Sequence, residues 1–380
     1  MTTFGLFFLK RYTPEVATIF TTHATSIGRS IAGNHKPLYD YLAHYDGDQM
    51  ADELNMQAKH SVEKQAAHYA DCFTTVSDIT ARECTQLLGK TPDVVTPNGF
   101  EDDFVPTGKL FNIKKEEARS ALKKVAECLL TYQLPEDTLF VATGGRYEFL
   151  NKGLDVFIES LKRLESSESL SRTIVAFLMV PAYISGPRKD LQSHLSGNDN
   201  IPHGNPFVTH QLVEPWHDPI LSSISWSHLT NAQETKVKII FVPSYLTGED
   251  GIFNKSYYDL LIGTDLTVFP SYYEPWGYTP LESAAFSVPT ITTSLSGFGQ
   301  WVNYHQQDID QGVAVIPRND SNYNEVVSEL VQQIEHFAAL TPVQVQSARK
   351  KAATIAEKAL WEHFIEYYDK AYTIALSKKR

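Results

Sequence analysis

The 380 residues include only three cysteines, Cys72, Cys84 and Cys128, too few and too irregularly spaced for a disulfide framework or a paired-cysteine metal site. A reducing cytoplasm suits that composition. Long hydrophobic runs are missing as well: the longest near the start, Phe4 to Leu9, is short for a signal-peptide core, and no basic segment precedes it. Nothing approaches the length of a membrane span. Positive charge is in deficit, and the formal net charge of -12 opposes nonspecific binding to nucleic acid or to an anionic membrane. The terminal Ser377-Lys378-Lys379-Arg380 reads as a solvated helix end. An anionic substrate would therefore need cations gathered locally. The chain shows neither low-complexity segments nor an internal repeat, which excludes solenoids and disordered linkers. It also offers no Asp-x-Asp pair in a convincing loop and no histidine cluster at metal-ligand spacing.

What is present is an ordinary globular composition, 42% hydrophobic and 21% charged, at a length that suggests two domains or parts of two. β-branched and aliphatic runs alternate with helical patterns, the signature of an α/β chain with parallel strands joined by crossover helices. Strands are predicted at 16–21, 138–143, 173–180, 237–242, 266–269, 289–293 and 312–316. After the second, Leu154, Phe157, Ile158, Leu161 and Leu164 recur at helical spacing, so one face of that helix covers a sheet. The stretch 182–235, rich in Pro, Gly, Ser, Asn and His, reads as an insertion with at most short helices and no catalytic role. A charged helical stretch, Lys114 to Lys124, marks a boundary near 110–135. At the end, Trp361, Phe364, Ile365, Tyr368, Tyr372 and Ala375 form an apolar stripe on a helix that should dock on another element.

Three clusters carry chemistry. Tyr272-Tyr273-Glu274-Pro275-Trp276-Gly277-Tyr278-Thr279-Pro280-Leu281-Glu282 follows a strand and opens a helix. Thr279 reads as its N-cap, Pro280 occupies the first helical position, and Glu282 completes a capping box. Such a helix start attracts phosphate, and the carboxyl ends of parallel strands are where α/β sheets bind ligands. Gly277 lets the backbone approach closely, and Glu274, on the loop side, can face a polyhydroxylated sugar. The same string also fits a well-capped surface helix. The second cluster, Gly144-Gly145-Arg146-Tyr147-Glu148-Phe149-Leu150-Asn151-Lys152-Gly153, again lies between strand and helix and brings two cations to one loop. As a nucleoside diphosphate leaves a sugar, negative charge grows on its phosphoryl oxygens, and preplaced cations stabilise that change. Alone, the loop equally fits a turn with two solvated basic residues. The third cluster, Thr21-Thr22-His23-Ala24-Thr25-Ser26-Ile27-Gly28-Arg29, follows the first strand. A lone histidine is more often a structural hydrogen-bonder than a catalyst. His23 and Arg29 nevertheless sit at a strand's carboxyl end, as the other clusters do, so all three could line one cleft between two sheets.

These strings, with Cys72-Phe73-Thr74-Thr75-Val76-Ser77, Thr96-Pro97-Asn98-Gly99, Asp218-Pro219-Ile220-Leu221 and Ser294-Leu295-Ser296-Gly297-Phe298-Gly299, resemble the eukaryotic-type glycogen synthases in content and order. The likeness runs from about Thr18 to the terminal helix. It implies the B-type glycosyltransferase fold, two Rossmann-like domains facing across a cleft. Residues 1–133 would form a partial, acceptor-side domain. Residues 134–355 would bind the nucleotide sugar and carry the insertion 182–235, and 356–380 would be a helix returning to the first domain. The resemblance implies a cytoplasmic glycogen synthase: metal-independent, retaining transfer of glucose from UDP-glucose to the nonreducing 4-hydroxyl of glycogen or a maltooligosaccharide. It implies no cofactor beyond that donor, and it admits a homo-oligomer. Carried over position by position, Arg146 and Lys152 resemble the diphosphate-binding pair. Glu274 resembles the first glutamate of an E-x7-E motif, near the glucosyl hydroxyls, and Glu282 the second, near the ribose. Trp276, Gly277, Tyr278 and Thr279, between them, are expected to line the donor. Tyr257 resembles the aromatic that stacks on the base, and His23 and Arg29 resemble residues of the opposite wall, close to the transferred glucose. The alternatives are a starch-, sucrose- or trehalose-type glucosyltransferase, with ADP-glucose as a donor, and a non-catalytic glucan-binding remnant.

The sequence departs from the family's pattern in two places. A full synthase opens with a strand and a Lys-x-Gly-Gly loop, then about half of the first domain, and none of this precedes Met1. The expectation is a fragment whose first sheet is incomplete, its apolar face partly uncovered and the chain inactive by itself. Before the terminal helix, where eukaryotic members carry a dense arginine run that senses glucose 6-phosphate, only Arg349, Lys350, Lys351 and Lys358 appear. They read as a solvated face of an unregulated, bacterial-type enzyme. The shorter insertion means that the family's tetramer contacts do not carry over.

Overall fold

The computed structural model describes residues 2–198, 202, 204–303 and 309–379; part of the insertion, 199–201 and 203, and Arg380 of the basic terminus fall outside them. Two parallel sheets organise the chain. The first holds β1 (Ile19–Thr22), β2 (Cys72–Thr75) and β3 (Val94–Val95) in that order. Neither β2 nor β3 is among the predicted strands. β2 is four residues long, half of them threonine, and every one is buried. Its strand character comes from what covers it: Ala67, Cys84 and Leu88 pack on Phe73, while Ala371 and Ala375 of the helix Trp361–Ser377 pack on Cys72. The terminal helix thus returns to the first sheet. Its contact face is Phe364, Ala371 and Ala375, not the whole predicted stripe, since Ile365 and Tyr372 remain 45% and 48% exposed. Small alanines at one helical face let that backbone approach the strand.

The second sheet begins with β4 (Leu139–Gly144) and β5 (Ile174–Met179). An antiparallel ribbon of β6 (Ile184–Pro187) and β7 (His210–Leu212) follows, and then come β8 (Val237–Val242), β9 (Leu266–Val268), β10 (Thr290–Thr293) and β11 (Val313–Ile316). The ribbon lies inside the insertion, where only short helices are expected; Gly186, Pro187 and an irregular register hide its strand pattern from the sequence. Across the second sheet the order is β11-β10-β9-β4-β5-β8, all parallel. β4, β5 and β8 are buried along their whole length, as continuous apolar runs covered on both faces must be. Leu139, Val141, Ile174, Ala176, Val237 and Ile239 face the helix Leu154–Glu165, whose predicted stripe is buried in full. The alternate residues, including Phe140, Val175, Phe177 and Ile240, face the helix Gly108–Leu130, which absorbs the predicted charged boundary.

One basic residue is misread by its spacing. Arg349 is 3% exposed, so it does not belong to a solvated face: it donates to the carbonyls of Thr264 at 2.8 Å and Ser287 at 3.1 Å and lies 3.4 Å from Asp265. Asp265 also takes Arg119 at 2.7 Å, so a partly buried charge network ties the helices Gly108–Leu130 and Pro342–Glu357 to the start of β9. The cations are paired and hydrogen-bonded, the condition under which buried charge is tolerated.

Candidate active site

Strand order reverses between β4 and β9, and in such sheets the crevice beyond the carboxyl ends at that point is the ligand site. The two strands exit into the loops 145–153 and 269–277, which hold the second and first sequence clusters. Gly145 (φ 143°) and Gly153 (φ 67°) shape the first loop, and the Asn151 carbonyl accepts the amides of Tyr272 at 2.9 Å and Tyr273 at 3.0 Å, locking the loops together. Lys152 Nζ contacts Glu274 Oε2, with both side chains largely buried. The loop that bears the cations therefore abuts the loop that opens at Glu274.

Arg146 is differently placed. Its side chain is 62% exposed, and its Nε lies 3.2 Å from Glu148 Oε1. The same carboxylate oxygen is 3.5 Å from Nη1 of Arg29, which belongs to the first sheet's side of the cleft. Glu148 thus joins the walls, a role that sequence reading assigned to no residue; its only signal is an acid between two cations of a glycine-rich loop. Arg29 also sits 5.8 Å from the ring centroid of Tyr273. His23, on the same side after β1, is exposed, while desolvation by the protein around it lowers its pKa from 6.5.

At the start of the helix Tyr278–Ala285 the expected capping box is absent. Gly277, at φ 110°, is the N-cap, and no side chain caps the helix. Glu282 instead accepts the Tyr258 hydroxyl at 2.9 Å, and burial raises its pKa. The turn needs a glycine, because a positive φ places the helix start close to the strand exits. A Cβ at Gly277 would stand 2.8 Å from Ser296 Oγ and 3.3 Å from Glu274 Cγ. Gly277→Ala is expected to destabilise the fold by about 1–3 kcal/mol, the usual range for a forced backbone, read as a lower denaturant midpoint. The open amides at this helix start, with the dipole behind them, favour an anion.

A cavity of about 670 Å³ runs along these elements, lined by Arg146, Tyr147, Glu148, Tyr257, Thr279 and Glu282 among others. Tyr257 presses on β4's end so closely that a Cβ at Gly144 would lie 2.9 Å from its ring. Sequence reading missed Tyr245, Leu246 and Thr247 on the far side of the cavity, and Tyr245 is 75% exposed there. Their signal is positional: they follow the carboxyl end of β8, the edge strand that pairs with β5 in the same sheet. The insertion does contribute support, since Asp218 accepts the Tyr147 hydroxyl at 2.6 Å. Of the four residues expected to line the donor between the two glutamates, Thr279 lines this cavity, while Gly277, Trp276 and Tyr278 do not. Trp276 is 4% exposed and packs edge-on against Phe298 and Phe364, so its indole is part of the core. Tyr278 is 42% exposed and has Tyr368 of the terminal helix as a neighbour.

The family model described as glycogen synthase matches residues 1–190 and 196–380. The chain belongs to the glycogen synthase family. It is 32% identical to glycogen [starch] synthase isoform 1 of Saccharomyces cerevisiae over 96% of this chain and 61% of the yeast protein. Against the liver glycogen [starch] synthase of Mus musculus it is 30% identical, over 98% of this chain and 61% of that one. The chain thus spans about three-fifths of the length of these curated relatives. Among solved structures, it matches a sucrose-phosphate synthase from Thermosynechococcus elongatus with a TM-score of 0.54 at 16% identity, covering 95% of this chain and 68% of that chain. It matches the N-terminal domain of a Candida albicans trehalose-6-phosphate phosphatase with a TM-score of 0.57 at 14% identity, covering 96% and 67%. These likenesses concern the fold, a B-type glycosyltransferase fold of two Rossmann-like sheets flanking a cleft. No helix of the described residues is long and apolar enough to cross a membrane.

Proposed function

We propose that this chain holds the donor site of a glycogen synthase, transferring glucose from UDP-glucose with retention to the nonreducing 4-hydroxyl of an α-1,4-glucan, without a metal ion. The observation that carries the reading is the contact of Lys152 with Glu274 at the switch point, beside the cavity that Arg146 lines. Residues 1–133 form the acceptor side, 134–355 the donor domain and 356–380 the returning helix. In this scheme the diphosphate lies against the start of the helix Tyr278–Ala285, with Arg146 and Lys152 at its oxygens. Glu274 accepts from glucosyl hydroxyls, Glu282 from the ribose, and Tyr257 offers a flat face to the base. As the C1–O bond breaks, its electron pair goes to the departing phosphate, and the two cations stabilise the growing charge. The acceptor hydroxyl attacks C1 from the same face and gives its proton to that phosphate, so no enzymic base is required. His23 and Arg29 border the transferred glucose from the other wall. Cys72 and Cys84, buried as free thiols, suit a cytoplasmic protein.

Calorimetry with UDP-glucose, ADP-glucose and maltoheptaose tests the reading. UDP-glucose is expected to bind more tightly than ADP-glucose; binding of the glucan with no response to either nucleotide sugar would sink it. Tyr257→Ala is expected to weaken the donor by roughly tenfold, the size of one lost stacking contact, in the same titration.

A further inference from the structure

Two carboxylates lie beneath the loop that bears His23, and the donor chemistry uses neither. Glu63, from the helix Gln57–Tyr69, accepts the Thr22 hydroxyl and, at 2.8 Å, the amide of Ser26. Glu83, from the helix Asp78–Leu87, is 1% exposed and accepts the Thr25 hydroxyl at 2.6 Å. Thr25 is the N-cap of the helix Ser26–Gly33, which carries Arg29. The same oxygen of Glu83 receives the hydroxyl of Tyr273 at 3.0 Å. Tyr273 comes from the other sheet: it is 2% exposed, its ring faces Arg29, and the next residue is Glu274, the partner of Lys152. One buried carboxylate oxygen therefore holds a hydroxyl from each wall of the cleft. The fit leaves no slack, since a Cβ at Gly28 would stand 2.5 Å from it.

We propose that Glu83 is a positioning residue for the sugar nucleotide, fixing the Glu274 loop against the loop of His23 and Arg29 through the Tyr273 hydroxyl. The nucleotide in that statement rests on the donor reading above; the coupling of the two loops does not. A carboxylate accepting two hydroxyls is a stronger clamp than a neutral acid, because hydrogen bonds to an ionised acceptor are about twice as strong. Burial, with the nearby charge of Glu63, raises Glu83 to about 7, so its ionisation near neutrality costs the fold stability, while in the folded chain the two hydroxyls then bond a carboxylate and the clamp tightens as pH rises. The other titratable groups facing it are Arg82 and Cys84 on its own helix, Tyr39, and Tyr273 itself.

The test compares wild type with Tyr273→Phe, Glu83→Gln and Glu83→Ala by two readouts. Amide hydrogen exchange without ligand follows the segments 19–34 and 270–277. Tyr273→Phe, which keeps the ring, is expected to speed exchange in both by roughly tenfold, the scale of one lost hydrogen bond to a charged group; Glu83→Ala does the same, and Glu83→Gln does so less. Unchanged exchange in 19–34 for Tyr273→Phe would overturn the coupling. UDP-glucose, whose phosphates do not titrate near neutrality, is then bound from pH 5.5 to 8.5. Affinity is expected to rise with pH in wild type and to lose that rise in Glu83→Gln, whereas equal profiles in the two proteins would overturn the positioning role. If wild type fails to bind UDP-glucose at any pH, the donor reading fails, and the exchange result still decides the coupling.

Discussion

On the proposed donor reading, replacing Arg146 with alanine in an intact synthase is expected to lower glucose transfer by about a hundred- to a thousandfold while leaving the unfolding midpoint almost unchanged, and replacing Lys152 is expected to damage both. The two cations share a loop and a role but not an environment. Arg146 is 62% exposed beside Glu148, and exposed ion pairs contribute about 0–1 kcal/mol. Its loss is felt only where charge develops on the leaving group, a term of about two to three orders of magnitude for one preplaced donor. Lys152 and Glu274 are 13% and 12% exposed, and removing one partner of a buried pair strands the other charge at a cost of about 3–5 kcal/mol. Lys152→Ala should therefore unfold at lower denaturant and also fail to hold the donor. The double variant Lys152→Met with Glu274→Gln separates the effects: stability should largely return, because no charge is left alone, and transfer should not. Equal midpoints for Lys152→Ala and wild type would show that the ion pair is not formed in solution.

The parts of the fold legible in the sequence are those whose burial is local. β4, β5 and β8 show as unbroken apolar runs because helices cover both faces, and the stripe from Leu154 to Leu164 shows because one helix covers one sheet. β2 does not show: its Cys72 is buried by Ala371 and Ala375, three hundred residues away in round numbers, and no local pattern records a partner so distant. The sequence pattern starts this helix at Pro280 behind a Thr279 cap, whereas the structure starts it earlier, at Tyr278 behind Gly277. Thr279 and Glu282 have the spacing of a capping box, yet the positive φ of Gly277 already begins the helix and Glu282 is drawn to Tyr258. At the site, the clusters were legible as separate strings. What joins them was not, because Glu148, Tyr273 and Glu83 bridge segments remote in sequence. Glu83 did leave a trace: Ile79, Glu83 and Leu87 fall at every fourth position on the inner face of one helix, where an acid is out of place.

That misplaced acid makes stability depend on pH with a sign opposite to that of most carboxylates. Glu83 ionises at about 4.5 when unfolded, and burial moves it to about 7 in the fold. Between those values the folded chain holds a proton that the unfolded chain has released, so the contribution of Glu83 to stability falls as pH rises. The loss begins near pH 4.5 and is complete above pH 7, about 3 kcal/mol for a shift of this size. Glu83→Gln cannot ionise, and the difference in unfolding free energy between wild type and this variant should move by about that amount between pH 4.5 and 8, in favour of the variant at the alkaline end. The comparison removes His23 and His210, whose lowered pKa values act in the other direction by making acid destabilising. A difference that stays flat across the range would mean that Glu83 is ionised throughout, its charge compensated by Thr25 and Tyr273. The cleft's two walls would then be clamped at every pH the protein meets.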